Sequence, residues 1–251
     1  MIKISNSLVD YASLAEQYPE GSKELKLADI LSSSSYIYTY DSISQLKFEI
    51  ELRKSIISTS IDLNRSMFSF KTFRESICNE RYWKRTNEGG FTLKDEVKPK
   101  EAVKDIFINS RKYGTECATA IVIIYYGAIE RIFPEEVFNR EFSRIYLMDW
   151  QYLDTSLGIH YFTKPADYLL GDCRYFKNPD VDPLTPQWQG ENTIDLGDGM
   201  YYGHGIGIRD ENEIITILNK YSIDGSETSA YLLESVTRPD FKKLASYALE
   251  V

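Results

Sequence analysis

The segment that most constrains this chain runs from Ala118 to Ile129 and reads Ala-Thr-Ala-Ile-Val-Ile-Ile-Tyr-Tyr-Gly-Ala-Ile, apolar on nearly every side of a helical wheel. A helix that is apolar all round must be enclosed by the fold. The run is too short, and too close to charges, to span a bilayer. The chain therefore needs layers of structure on more than one side of this helix. Its 251 residues suffice for that, as one large domain or two small ones. Thr115 is the predicted N-cap and Glu116–Ile129 the predicted helix, which places Cys117 in its first turn.

A cysteine in a first helical turn has a chemical option as well as a packing one. Unpaired backbone N–H groups and the positive end of the helix dipole favour thiolate over thiol, and the thiolate is the nucleophile. The plainer reading is a small buried hydrophobe. Cys78 and Cys173 open no apolar helix and read as structural thiols. Three widely spaced cysteines with no C-x-x-C pair argue against a disulfide framework or a zinc site, and for a reducing compartment. A net charge of −9 leaves no basic excess for nucleic acid or an anionic membrane surface. The N-terminus shows no apolar signal region. Asp180-Val-Asp182 lacks the Gly and closing Glu of an EF-hand, and Gly203-His-Gly-Ile-Gly207 lacks the context of a dinucleotide loop.

Ser32–Ser35 separates a polar N-terminal segment from a strand-like Tyr36–Tyr40. Ser42-x-x-Gln45 reads as a capping box opening a helix to about Asn64, with Leu46, Ile50, Ile57 and Ile61 near one face. A hairpin is expected within Trp83–Leu93, a helix with Pro99 at N1 running to about Asn109, a helix from Pro134, and a strand over Ser143–Trp150. Residues 177–190 read as loop. Asn192–Leu196 and Met200–Ile208 read as a hairpin turning at Asp198-Gly199. Helices come first and strands dominate later, so the fold class is α+β.

A nucleophile needs a proton partner, and the chain has two histidines, His160 and His204. His204 lies among alternate glycines, which in a strand often mark a close approach. A two-residue turn at Asp198-Gly199 pairs Gly197 with Met200 and Thr193 with His204, and sets Glu191 on the same face as His204; a three-residue turn reverses that face. Chemistry alone ranks His204 above Glu191, because a carboxyl of pKa about 4 takes a proton poorly from a thiol of about 8.5. The order changes only where burial raises the acid and the helix start lowers the thiol. The charge of Glu116 opposes a neighbouring thiolate.

Four ordered segments, Tyr113-Gly-Thr-Glu-Cys-Ala-Thr-Ala-Ile-Val-Ile-Ile-Tyr-Tyr126, Gly171-Asp-Cys-Arg-Tyr-Phe-Lys-Asn-Pro179, Gln187-Trp-Gln-Gly-Glu-Asn192 and Tyr202-Gly-His-Gly-Ile-Gly207, resemble the small protein-glutamine gamma-glutamyltransferases (transglutaminases) of bacterial spore coats. The likeness runs from about Tyr36 to Arg238, with 1–251 read as one transglutaminase domain and 1–35 as a variable N-terminal segment. The stretch 151–168 carries no motif, and Asp154 and His160 receive no role. The resemblance implies a papain-like α+β core, similar to cell-wall cysteine peptidases, in which a buried helix bearing the nucleophile packs on an antiparallel sheet. It implies Cys117 as nucleophile, Glu191 as its partner carboxylate, Glu116 as a carboxylate sharing that role, and His204 as a site residue that is not the main base. This reverses the chemical ranking. It further implies a tunnel walled by Phe70, Trp150 and Trp188 with Asp149 beside them; without the resemblance these aromatics read as core.

The implied reaction joins a glutamine acyl donor to a lysine acceptor through a Cys117 thioester, without calcium or any other cofactor. The implied partners are spore-coat proteins, and the implied destination, after cytoplasmic synthesis, is the spore coat. Two rivals share the scaffold: a cysteine peptidase or amidase, and a non-catalytic coat component. The joint presence of Cys117, Glu191 and His204 argues against the second.

Overall fold

The computed structural model describes residues 1–5, 7–150 and 154–249. The enclosed helix runs Cys117–Ile132, and every residue from Ala118 to Ile129 is buried. It stops at Phe133, whose backbone is extended (φ −74°, ψ 139°), as the residue before Pro134 must be. Among the described residues no helix is long and apolar enough to cross a membrane.

One flank of the central helix is covered by the long helix Ile43–Arg65, which buries Leu46, Ile50, Leu52, Ile56 and Ile57. Its N-terminus is capped as expected: Ser42 Oγ accepts the Gln45 N–H at 3.1 Å. The Gln45 side chain reaches one residue further back than a capping box requires, its Oε1 accepting the Asp41 N–H at 2.9 Å. The helix Pro99–Ile108 covers another flank with Val103 and Ile106. The N-terminal segment joins the same core: the helix Lys23–Ser33 buries Leu27, Ala28 and Leu31, and the strand Ile2–Ile4 pairs in parallel with Tyr38–Tyr40.

The remaining flank meets an antiparallel sheet through the strand Gly190–Gly197. The sheet order is Gly207–Asp210, Met200–Gly203, Gly190–Gly197, Cys173–Lys177, Val236–Arg238 and His160–Phe162. The fold is thus mixed α+β with antiparallel sheet packed on the central helix. Two expected strands are corrected. Met200–Ile208 is split: Met200–Gly203 ends the first hairpin and Gly207–Asp210 begins a second. Ser143–Trp150 contains only Tyr146–Leu147 as strand, the third member of a small sheet with Phe91–Leu93 and Trp83–Arg85. A left-handed Asp149 (φ +36°) prevents extension beyond that point. Of the stretch 151–168, residues 151–153 lie outside the described residues.

A buried ionic network locks the sheet to the long helix. Arg53, wholly inaccessible, donates from Nε to Glu49 at 2.9 Å and from Nη1 to Asp172 at 2.9 Å. Arg238, from the neighbouring strand, donates to the other Asp172 oxygen at 2.6 Å. Asp172 immediately precedes the strand Cys173–Lys177, so the network sets that strand's height against the helices. Removing one member of a buried pair strands the other charge, which costs about 3–5 kcal/mol. Asp172→Asn is therefore expected to lower the unfolding free energy in urea by about 3–5 kcal/mol. A loss under roughly 1 kcal/mol, the range of a surface pair, would contradict the anchoring role.

Candidate active site

The start of the central helix differs from expectation by one residue, with chemical consequences. The N-cap is Glu116, not Thr115: its carboxylate accepts the N–H groups of Ala118 and Thr119 at 2.5 and 2.8 Å. Thr115 instead belongs to a short strand, Gly114–Thr115, paired in parallel with Ser69–Phe70. Cys117 is then the first helical residue. The helix donors that would have favoured its thiolate are already held by a carboxylate.

Glu191 and Asn192 come from the strand Gly190–Gly197. The Asp198-Gly199 turn is the expected two-residue one, with φ of +59° and +73° and Gly197 opposite Met200. A bulge between Asp195 and Gly197 then shifts the register, so Thr193 faces Gly203 rather than His204. The expected side-by-side display of Glu191 and His204 is therefore corrected. Their link runs through the main chain instead: the His204 backbone N–H interacts with the Glu191 carboxylate and favours its charged form. The glycines clear space for other groups than His204. A Cβ on Gly203 would lie 2.9 Å from Glu191 Cγ, and one on Gly205 (φ +103°) would lie 2.8 Å from the Phe70 ring.

Both nitrogens of the His204 ring are occupied. Nε2–H donates to the Ser69 carbonyl at 3.2 Å, and Nδ1 accepts the Tyr202 hydroxyl at 3.0 Å. Burial lowers its pKa to about 4, so the ring is neutral near pH 7. This arrangement leaves it as a brace between the glycine hairpin and the Ser69–Phe70 strand. His160 is half exposed and contacts Asp240 at 3.3 Å, away from these groups.

Asn192 is the residue that the sequence reading passed over. Its Nδ2 donates to Cys117 Sγ at 3.6 Å, and both its main-chain and side-chain amides draw the thiol toward ionisation. Opposing influences win. Burial first, then the charges of Glu191 and Glu116, push Cys117 well above the usual thiol range. Glu191 is raised well above the usual carboxyl range by burial and by Glu116, and its Oε1 has no hydrogen-bond partner among the described residues. Glu116 is raised by burial, with its cap hydrogen bonds and the charge of Asp149 acting in opposite senses. Cys117 thus rests as a thiol, contrary to the expectation from helix position alone.

Cys117 and Glu116 open into a cavity of about 1300 Å³ that Phe70, Asp149, Trp150 and Asn192 also line. The Asp149 N–H donates to Thr119 Oγ1 at 2.9 Å, tying this wall to the helix start. Trp188, expected as a wall, lies behind it. Its ring stacks on Tyr221 (4.2 Å, 3°) and sits 6.2 Å from Phe70. Neither Glu191 nor His204 lines the cavity. Among the described residues no group of three or more His, Cys, Asp or Glu could hold a metal ion.

Fold and site together define an α+β protein organised around a cysteine at the first turn of a buried helix, with two carboxylates in electrostatic contact with its sulfur. The family model for protein-glutamine gamma-glutamyltransferase matches residues 1–248, a span that includes the N-terminal 35 residues left aside by the motifs. Proteins named protein-glutamine gamma-glutamyltransferase from Bacillus cereus strains G9842 and B4264 are each 41% identical over 249 residues, covering 99% of this chain and 89% of theirs. A solved transglutaminase from Geobacillus stearothermophilus, without its C-terminal extension, is similar with a TM-score of 0.79 and 49% identity, covering 82% of this chain and 98% of that one. The chain belongs to the protein-glutamine gamma-glutamyltransferase family.

The raised Glu191 carboxyl has a signed effect on stability. A carboxyl held above its unfolded value contributes stability below that value and loses it as pH rises toward the folded one. Glu191→Gln does not titrate. Its melting temperature is expected to exceed the parent's by about 3 °C at pH 8, with the gap closing toward pH 5. Equal melting temperatures at both pH values would contradict a destabilising buried charge.

Proposed function

We propose that Cys117 is the nucleophile of protein glutamine γ-glutamyl transfer, with Glu191 as its main proton carrier and Glu116 able to share that work. The observation that carries this reading is the Cys117 sulfur opening into the cavity with the fully buried Glu191 carboxyl in electrostatic contact with it, both groups raised by burial. In water a carboxylate is a poor base for a thiol. Here burial raises both groups, and proton transfer between them leaves the pair's net charge unchanged. It also removes the Glu191 charge that opposes the thiolate. The mismatch seen in free amino acids is thereby reduced.

The thiolate attacks the γ-carboxamide carbon of a protein glutamine, forming the C–S bond as the carbonyl π pair moves to oxygen. The carbonyl re-forms as the C–N bond breaks, and ammonia departs with a proton from the Glu191 carboxylic acid, leaving a γ-glutamyl thioester. A neutral lysine amine attacks next, its proton passing to the Glu191 carboxylate, and an isopeptide bond replaces the thioester. The returned proton then passes to the leaving sulfur, which restores the thiol. Phe70 and Trp150 line the cavity and serve to keep water from the thioester; Trp188 supports Phe70 from behind. Asp149, at the same wall, favours an approaching amine by its charge. His204 acts as a positioning residue through its ring contacts and main-chain N–H.

The helix-on-antiparallel-sheet arrangement supports a papain-like core for this scaffold. The four-segment resemblance supports spore-coat proteins as substrates and the coat as the site of deposition. The reaction as written uses only side chains of this chain and no cofactor.

Incubation with a glutamine peptide and a fluorescent primary amine tests the reading. The parent should incorporate amine, Cys117→Ala should incorporate none, and Glu191→Gln should be slower by about 10²–10⁴-fold. Conversion of glutamine to glutamate with no amine incorporated would instead favour a hydrolase.

A further inference from the structure

We propose that Asn192 is a catalytic residue whose side-chain amide, together with the Cys117 main-chain N–H, stabilises the oxyanion formed during glutamine attack. This rests on the reading of Cys117 as the nucleophile. Three observations converge on it. First, Glu116 takes the N–H groups of Ala118 and Thr119, while the Cys117 N–H has no acceptor among the described residues. The first helical N–H, left open by the cap, therefore belongs to the reacting residue itself. Second, the Asn192 amide already lies 3.6 Å from Sγ, lines the cavity, and makes no other side-chain hydrogen bond among the described residues. Third, the strand fixes its position: Asn192 pairs with Tyr175 in a ladder whose next residue, Glu191, pairs with Phe176. Proton carrier and oxyanion donor are thus adjacent on one strand.

The electrostatics make such donors necessary. Glu116 and Glu191 both place negative charge near the sulfur. When the C–S bond forms, with Glu191 holding the thiol proton, the thiolate's charge moves to the carbonyl oxygen, in a buried place that Glu116 keeps negative. Preorganised N–H donors aimed at that oxygen offset the repulsion without solvent reorganisation. When the C–N bond breaks, the charge returns to the carbonyl and ammonia leaves with the proton from Glu191. The same donors then polarise the thioester toward the entering amine. At rest the Asn192 amide holds the sulfur; as the tetrahedral oxygen forms beside it, the amide's second N–H serves that oxygen.

Two reactions at Cys117 separate this role from support of the thiolate. Turnover of a glutamine peptide passes through an oxyanion; alkylation by iodoacetamide does not. Asn192→Ala is expected to lower kcat for amine transfer by about 10²–10³-fold, with KM nearly unchanged. A peptide bearing the γ-aldehyde in place of the γ-carboxamide, which adds the thiol to form a hemithioacetal, should lose affinity in parallel. Iodoacetamide labelling of Cys117 should slow by less than about tenfold, since only one hydrogen bond to sulfur is lost. Asn192→Leu, close in shape, gives the same comparison should the alanine variant fold poorly. Turnover and alkylation falling equally, or turnover unchanged, would overturn the oxyanion role. A Cys117→Ala variant that still transfers amine would instead defeat the nucleophile assignment on which the proposal rests.

Discussion

The Glu116 carboxylate lies across the first turn of the central helix, and the chemistry of the site follows from that one interaction. By accepting the Ala118 and Thr119 N–H groups it starts the helix one residue later than a Thr115 cap would. Cys117 becomes the first helical residue. The cap satisfies two of the donors every helix start leaves open. It also converts the locally positive helix end into a negatively occupied one. A thiol at an uncapped helix start would be poised as thiolate. Here burial, Glu191 and Glu116 hold it as a thiol, and the proposed function requires a partner able to accept its proton.

Glu191, the partner proposed, is placed by backbone irregularity. The bulge after Asp195 shifts the hairpin so that Glu191 packs over Gly203, where no Cβ obstructs it, while the next peptide N–H, from His204, addresses its carboxylate. The His204 ring is then free to brace Ser69, which keeps the Phe70 wall against the hairpin. Farther down the sheet, Arg53, Asp172 and Arg238 fix the neighbouring strand against the long helix. Ionic interactions in this protein therefore do two different jobs. The paired network holds the scaffold, and the buried Glu191 carboxyl, whose Oε1 has no hydrogen-bond partner among the described residues, costs stability in the place where the proposed function needs a proton carrier.

The parts of this structure legible from sequence were those set by local rules. An all-round apolar run gave a buried helix, Ser42 gave a cap, Pro99 and Pro134 marked helix boundaries, and Asp198-Gly199 gave a two-residue turn. The errors came where long-range geometry decides. A bulge leaves no trace in a short alternating pattern, so the Thr193–His204 pairing was off by one. Left-handed Asp149 shortened a strand that looks continuous in sequence. The cap on Glu116 was missed because glutamate ranks below Ser, Thr, Asp and Asn at that position. Within the site, motif resemblance singled out Cys117, Glu191, Glu116 and His204, but Asn192 went unnoticed. The signal for it was its position next to Glu191, which on a strand shows only that the two side chains leave opposite faces; contact with Cys117 required the tertiary structure.

The central claim is that Cys117 rests as a thiol because burial first, and then the charges of Glu191 and Glu116 in that order, oppose its ionisation. It is tested most directly by following the ¹³Cβ chemical shift of Cys117 as pH is raised from about 5 to 10, in the parent and in Glu191→Gln. The account predicts a parent thiol that remains protonated above the ordinary thiol value of about 8.5, and a midpoint that falls once the Glu191 charge is removed. A thiolate shift already present near pH 6 in the parent, or a midpoint unmoved by Glu191→Gln, would contradict it.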